Sequence, residues 1–388
     1  MAETLAAAVD SQSRDCLPTC SMVEIDLGSA NFLDYQSDLK GQVLCLPKLA
    51  PHAKEEEIQA RHEQWAMDVG LWRRENLASL EALQFSTLWT DCVPECKPEV
   101  AALIPDYCVM ITIVDDTAER FFGQRRVAGF DLLQKVFANY RAVLEGSDDV
   151  PEIDYPQYRG TCAALVDLRE RTRAVTTPTQ YEQFVSGMCG YFRGVLQQVY
   201  LSSKRLPLSR ETQISNREIN VGFRPTVVLV ASVLGIELSP RVQAHPLFDR
   251  VLRAIDRLGG VINDIISFKK EVEANAWMGQ YHNLIAAEFN ELVRENSPGN
   301  RLEIAFRRVF QFHNNEMYDF LRCGALIIED HPEFREFHEL CTSMHRSWMD
   351  WCLTVDRYSD SIPDGIKTNE VVHSLEGMHL PRPGSATT

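Results

Sequence analysis

Residues 263–271 read Asn263-Asp264-Ile265-Ile266-Ser267-Phe268-Lys269-Lys270-Glu271. Asn263, Ser267 and Glu271 fall at i, i+4 and i+8, so on a helix they stand on one face, one above the other. An amide, a hydroxyl and a carboxylate are three oxygen donors with a single negative charge between them. A hard divalent cation takes oxygen ligands, and Mg²⁺ is readily shared between protein oxygens and substrate phosphates. The remaining charge of such a cation suits an anionic ligand, and a diphosphate fits.

The chain around this run has 388 residues, 45% of them hydrophobic and 24% charged, enough to bury a sizeable core. Its formal net charge is −16, which repels nucleic acid and anionic membrane surfaces. An acidic chain that binds an anion needs metal ions or local arginines to do so. Eleven cysteines, an odd number with no regular framework, point to reduced thiols in the cytosol. Cys16/Cys20 and Cys92/Cys96 have no matching Cys/His pairs at zinc-finger spacing and read as incidental thiols. The N-terminus lacks a basic segment followed by an apolar core, so it does not read as a secretory signal. The most apolar window, Thr226–Ile236, is too short to span a bilayer. These features predict a cytoplasmic protein with no nucleic-acid partner and no stable membrane insertion.

Helical periodicity dominates from Glu55 onward. The predicted stretches include Glu55–Trp72, Leu77–Asp91, a helix with Pro98 in its first turn that runs to about Phe122, Pro178–Ser202, Glu211–Leu234, Pro246–Ala274, Arg301–Cys323 and Glu333–Tyr358. Strand alternation flanked by Asn-Gly or Asp-Gly turns is absent, and no period of 20–50 residues repeats. The reading is one all-α domain over residues 41–360, with a weakly structured segment at 1–40 and a flexible tail at 361–388.

A second acidic cluster lies upstream: Asp115-Asp116-Thr117-Ala118-Glu119. It follows the apolar run Val109–Val114, so its carboxylates end a buried helical stretch. Adjacent carboxylates repel unless a cation sits between them. Alone such a cluster is a weak signal, because acidic helix ends are usually solvated. Here it is accompanied by the run at 263–271.

Together the two clusters resemble the paired metal motifs of class I terpene synthases of the microbial type. The resemblance covers about four-fifths of the chain, from Pro47 to Asp360, and includes Trp65 to Trp72 of an N-terminal helix. It implies an all-α bundle of the class I terpenoid synthase type with the active site in its core. Asp115, Asp116 and Glu119 would form one metal-binding side, and Asn263, Ser267 and Glu271 the other, around three Mg²⁺ ions, with Mn²⁺ able to substitute. Arg217, 46 residues before Asn263, stands where the family keeps a diphosphate-sensing arginine on a broken helix. Asn220 would be its linker, a departure from the Asp or Thr of many relatives. Val221 would be the effector whose carbonyl faces the substrate. A bottom-up reading supports that break. Pro225 has no N–H, so the Val221 carbonyl four residues earlier loses its helical partner, and Gly222 eases the kink.

Arg357-Tyr358 matches the family's diphosphate-binding pair, and Lys270 the basic residue before the last ligand. Lys270 reads equally well as a solvated neighbour of Glu271. Trp351 occupies the place of an active-site tryptophan. Phe85, Trp89 and Ile111 are further pocket-lining candidates, although Phe85 and Trp89 at i, i+4 also read as ordinary core.

The resemblance implies ionisation of a linear isoprenoid diphosphate, most often farnesyl diphosphate in chains of this layout, and cyclisation of the cation to a sesquiterpene by a monomer or homodimer. Three alternatives remain at this stage. A diterpene synthase would use geranylgeranyl diphosphate. A chain-elongating prenyltransferase would carry a second aspartate-rich motif in place of residues 263–271. A catalytically dead helical protein that binds a partner would show a broken metal ligand.

Overall fold

The computed structural model describes residues 21–32, 35–45, 49–125, 127–204, 208–275, 282–355 and 369–372. Helices make up nearly all of its regular structure, as the periodicity predicts. They are α1 (Glu55–Asp68), α2 (Leu77–Glu81), α3 (Pro98–Ala101), α4 (Leu103–Arg125), α5 (Val127–Glu145), α6 (Tyr158–Val175), α7 (Pro178–Lys204), α8 (Arg210–Asn220), α9 (Phe223–Val233), α10 (Pro240–Gln243), α11 (Phe248–Asn275), α12 (Leu284–Arg294), α13 (Arg301–Asp330) and α14 (Phe334–Thr354).

Several helix starts are written in the sequence. Pro98 opens α3, where its missing N–H costs nothing. The Ser209 hydroxyl accepts from Thr212 N–H at 3.2 Å and caps α8. Asn300 caps α13 by accepting from Glu303 N–H at 3.3 Å. The stripes these helices bury join into one core, with Tyr107, Tyr140, Phe184, Phe223 and Phe306 among its largest members. α11 lies at its centre and packs against α8, α9, α12, α13 and α14. Charged groups inside the bundle are paired: Asp106 of α4 accepts from His62 Nδ1 at 2.8 Å and from Arg171 Nη2 at 2.7 Å, tying α1 and α6 together.

The structure departs from the sequence reading in two places. The first is at the chain ends, where strand patterns are not expected. β1 (Ser21–Phe32) pairs antiparallel with β2 (Tyr35–Cys45) and, on its other edge, with β3 (Asn369–Val372). The expected boundary at residue 40 therefore falls inside β2. Pairing of β1 with β3 joins segments more than 330 residues apart, a relation no local pattern can carry. β2 sits on the helical body, where Leu44 N–H donates to Asn314 Oδ1 of α13 at 2.8 Å.

The second departure is at Leu77–Asp91, where α2 ends at Glu81. Gln84 and Trp89 adopt left-handed backbone with φ of 47° and 62°, which a continuous helix excludes. Tertiary contacts hold that geometry: Trp89 N–H donates to Ser347 Oγ, and its indole N–H to the Met344 carbonyl, each at 2.9 Å. Phe85 and Trp89 are therefore not neighbours on a helix, yet both are buried.

Among the described residues no helix is long and apolar enough to cross a membrane. Cys92 and Cys96 are free thiols there, as are Cys108, Cys162, Cys189, Cys323, Cys341 and Cys352. Cys92 Sγ lies 3.5 Å from an Asp91 carboxylate oxygen, and Cys96 Sγ lies 3.8 Å from the Val233 carbonyl.

Candidate active site

The predicted break in Glu211–Leu234 is present. α8 ends at Asn220 and α9 begins at Phe223. Gly222 sits between them at φ +74°, a left-handed conformation that a residue with a Cβ adopts at a cost. Its carbonyl is taken by the Thr226 hydroxyl at 2.7 Å and the Tyr107 hydroxyl at 3.4 Å. The Val221 carbonyl is left without a hydrogen bond among the described residues, as the missing N–H of Pro225 requires. Ile111 of α4 faces the break: its Cδ1 would stand 3.4 Å from a Cβ at position 222. Tyr191 of α7 donates to the Ile111 carbonyl at 2.8 Å. The Asn220 amide donates to Gln198 Oε1, and α7 approaches so closely that a Cβ at Gly194 would lie 2.8 Å from Asn220 Cα.

Arg217, one turn before the break, is buried. Its Nε donates to Asp264 Oδ1 at 2.8 Å, and Nη2 reaches the same oxygen and the His282 carbonyl, the latter at 3.3 Å. Nη2 also lies 3.5 Å from Glu271 Oε1. Burial opposes the Arg217 charge, but Asp264, Glu271 and Asp115 together hold its pKa above the ordinary value. Asp115, at the far end of the other motif, thus lies within electrostatic reach of Arg217. The Arg217 guanidinium thus sits in the field of carboxylates from both acidic motifs.

On α11 the predicted row is present. The Ser267 hydroxyl lies 2.7 Å from the Asn263 carbonyl and 2.6 Å from Glu271 Oε1. A single hydroxyl hydrogen cannot serve both acceptors at once. Glu271 Oε2 accepts from Asn283 Nδ2 at 3.0 Å. Burial raises the Glu271 pKa to about 7, against the pull of Arg217 and with the push of Asp264. A carboxylate so disfavoured as an anion gains most from a nearby cation. Among the described residues no three His, Cys, Asp or Glu side chains gather at one point. A cation here would therefore draw on the Asn263 and Ser267 oxygens as well as carboxylates, which is the donor chemistry of an oxygen-ligated ion. Asp115, Asp116 and Asn263 are all partly exposed. The side chains of Glu119 and Lys270, and the whole of Arg357 and Tyr358, lie outside the described residues.

Phe85 and Trp351 stack with ring centres 5.4 Å apart. Trp351 in turn stacks on Trp348 at 5.3 Å, and Trp348 on Trp89 at 5.5 Å. Phe223, the first residue of α9, meets Trp89 edge-on at 5.5 Å. The three predicted aromatics thus belong to one buried, stacked cluster that reaches Phe223 at the helix break. The sequence reading missed two of its members, Trp348 and Phe223.

It also missed Asp264 and Asn283. Asp264 sits between two candidate ligands in sequence but lies about 100° round the helix from Asn263, so it turns to Arg217. Asn283 caps α12 through Oδ1, which accepts from Ile285 N–H at 2.9 Å, while Nδ2 reaches the Asp264 carbonyl at 2.8 Å and Glu271. The signal for the first was the buried carboxylate of an Asn-Asp pair. For the second it was an Asn before an apolar helical run.

The profile of the family described as "Terpene synthase family 2, C-terminal metal binding" matches residues 106–319, more than half of the chain. The chain belongs to that family. Its all-α bundle is the class I terpenoid synthase fold of the microbial and fungal enzymes. Among curated proteins it is 29% identical over 199 residues to Sesquiterpene synthase 3 of Postia placenta, a match covering 50% of this chain and 49% of that one. It spans about half the length of that relative. It is 23% identical over 281 residues to Germacrene A synthase of Nostoc punctiforme, covering 71% of this chain and 81% of the other. The structure of 2-methylisoborneol synthase from Streptomyces coelicolor A3(2), in complex with Mg²⁺ and 2-fluoroneryl diphosphate, superposes with a TM-score of 0.66 at 20% identity, over 82% of this chain and 99% of that one.

Proposed function

We propose that this protein is a Mg²⁺-dependent sesquiterpene synthase that ionises farnesyl diphosphate, cyclises the resulting cation and releases diphosphate. The observation that carries the reading is the Arg217 cluster: a buried guanidinium on a broken helix, bonded to Asp264, 3.5 Å from Glu271 and under the influence of Asp115. Similarity to Sesquiterpene synthase 3 of Postia placenta supports the fifteen-carbon substrate, and the ligands of the 2-methylisoborneol synthase structure support the metal and the diphosphate.

Asn263, Ser267 and Glu271 would hold Mg²⁺ from α11, and Asp115 with Asp116 from α4. The bound ions supply positive charge that neutralises the diphosphate leaving group. Arg217 Nη1 makes no hydrogen bond among the described residues, so its N–H groups remain for a diphosphate oxygen, while Nε and Nη2 are held by Asp264. Arg357, Tyr358 and Lys270 are assigned to the same anion by their places in the sequence. When the allylic C–O bond breaks, its electron pair leaves with the diphosphate oxygen and the carbon skeleton becomes a cation. The Val221 carbonyl, which has no hydrogen bond among the described residues, would turn its negative end to that charge and steady it. The aromatic cluster of Phe85, Trp351, Trp348 and Trp89 would stabilise later cations where its rings border the pocket, and would exclude water. Loss of a proton from carbon, or capture of water, ends the sequence.

The test is incubation of the purified protein with Mg²⁺ and each of the ten-, fifteen- and twenty-carbon diphosphates, followed by identification of volatile products. A cyclic fifteen-carbon product from farnesyl diphosphate is expected, lost in excess chelator and in Asn263→Leu and Glu271→Ala. Turnover that survives chelator rejects the metal mechanism, and a product only from the twenty-carbon substrate rejects the sesquiterpene assignment.

A further inference from the structure

Tyr107, Ile111 and Asp115 fall at i, i+4 and i+8 of α4, so they share one face of that helix. Asp115 belongs to the first acidic motif. The other two reach the broken helix. The Tyr107 hydroxyl donates to the Gly222 carbonyl at 3.4 Å. Ile111 Cδ1 and the Tyr107 oxygen would lie 3.4 Å and 3.8 Å from a Cβ at position 222. Tyr191 of α7 closes the same space: its Cδ2 would lie 3.5 Å from that Cβ, and its hydroxyl holds the Ile111 carbonyl at 2.8 Å. Three side chains thus pack around one glycine.

Tyr107 is fully buried, and its ring meets Phe184 edge-on with centres 5.8 Å apart. Burial raises its pKa, so the phenol stays protonated and can donate. The Gly222 carbonyl does not depend on it for a partner, because the Thr226 hydroxyl already donates to that oxygen at 2.7 Å. What the second donor adds is direction. The Val221 and Gly222 carbonyls lie in successive rigid peptide planes, joined only by the φ and ψ of Gly222. Glycine is the residue that turns most freely at such a joint. Fixing the second plane, and filling the space beside the joint, limits how far the first can turn.

We propose that Tyr107 is a positioning residue for the reaction: through the Gly222 carbonyl it fixes the direction of the Val221 carbonyl, and with it the fate of the cation that this carbonyl steadies. This role rests on the catalytic reading proposed above.

Tyr107→Phe keeps the ring and deletes one hydroxyl, and Thr226 keeps the Gly222 carbonyl bonded, so the variant should fold normally by circular dichroism. Two measurements test it. In the substrate-free protein, hydrogen exchange at the Gly222 and Phe223 amides should quicken about fivefold, the equivalent of one ordinary hydrogen bond. With farnesyl diphosphate and Mg²⁺, kcat should fall by about the same factor and the product mixture should change, while KM and the affinity for inorganic diphosphate with Mg²⁺ stay within about twofold of wild type. Tyr140→Phe, which removes a hydroxyl buried elsewhere in the core, should leave the product mixture as it is. Unchanged exchange in Tyr107→Phe would mean that the phenol does not hold the break. Wild-type kcat and products would mean that the hold has no part in the reaction. An equal change of products in Tyr140→Phe, or a loss carried by KM and diphosphate affinity, would make the role a general structural one. Each of these results overturns the proposal while wild-type turnover leaves the catalytic reading standing. A wild-type protein that turns over no isoprenoid diphosphate rejects both, and the exchange measurement then still reports the contact.

Discussion

Gly260 lies directly against Arg217: a Cβ built at position 260 would stand 2.9 Å from Arg217 Cβ. The preceding residue does the same for the other half of the broken helix, since a Cβ at Gly259 would come within 2.5 Å of the Phe223 ring. The glycine pair thus lets α11 press against both sides of the break, three residues before the first candidate ligand.

Gly260→Ala is therefore predicted to push Arg217 off its position without unfolding the bundle. A displacement near 1 Å at a positioning group costs on the order of 100-fold in rate. Steady-state kinetics on farnesyl diphosphate should give a fall of about 10- to 100-fold in kcat/KM, with an unchanged far-ultraviolet spectrum. An unaltered kcat/KM would mean that Arg217 tolerates the shift and does not set the rate.

Asp264→Asn removes the anion that holds Arg217. Leaving one member of a buried pair uncompensated costs about 3–5 kcal/mol. Chemical denaturation should register a loss of that order. The loss should shrink when Arg217→Gln is added, because the orphaned charge is then gone as well. Strict additivity of the two substitutions would show that the pair is not coupled.

Pro225→Ala restores the N–H that the Val221 carbonyl lacks. The expected outcome is a straighter helix, retained binding of inorganic diphosphate with Mg²⁺, and slower ionisation or a changed product mixture. Arg217→Ala should instead weaken diphosphate binding by about 1.5–3 kcal/mol, the loss of a charge-assisted hydrogen bond. If gas chromatography found wild-type rate and products for Pro225→Ala, the freed carbonyl would have no part in the reaction.

Asp256 gives a pH dependence of stability. In the unfolded chain it titrates near the ordinary value of about 3.9, and in the folded protein near 6. Between these values the folded state binds the proton more tightly, so this group's contribution to stability falls as pH rises through the window. Asp256→Asn does not titrate. The difference in unfolding midpoint, variant minus wild type, should therefore be more positive at pH 7 than at pH 4.5. A difference independent of pH would mean that Arg224 fully offsets the burial.

Much of this site could be read before any fold was known, because its parts are chemically constrained and periodic. The row Asn263, Ser267, Glu271 needed only the helical repeat. The break at Val221–Gly222 needed only the absence of an N–H on Pro225. What escaped is tertiary. Asp264 is adjacent in sequence to a candidate ligand but faces Arg217, and only packing of α8 on α11 reveals the pair. Trp89 was read onto a helix that its contacts with Ser347 and Met344 prevent. The pairing of β1 with β3 depends on segments at opposite ends of the chain. Gly259 and Gly260 carry no functional group at all, and their meaning lies in what stands opposite them.

Asn283 begins α12 and steadies Glu271 with the same side chain, Oδ1 on the Ile285 N–H and Nδ2 on the Glu271 carboxylate. The opening turn of α12 and the last oxygen of the α11 row are therefore thermodynamically linked. Anything that draws Glu271 toward a cation alters the hold of the amide that starts the next helix. Hydrogen exchange at the first amides of α12 then becomes a gauge of events at Glu271, legible even when no product is formed.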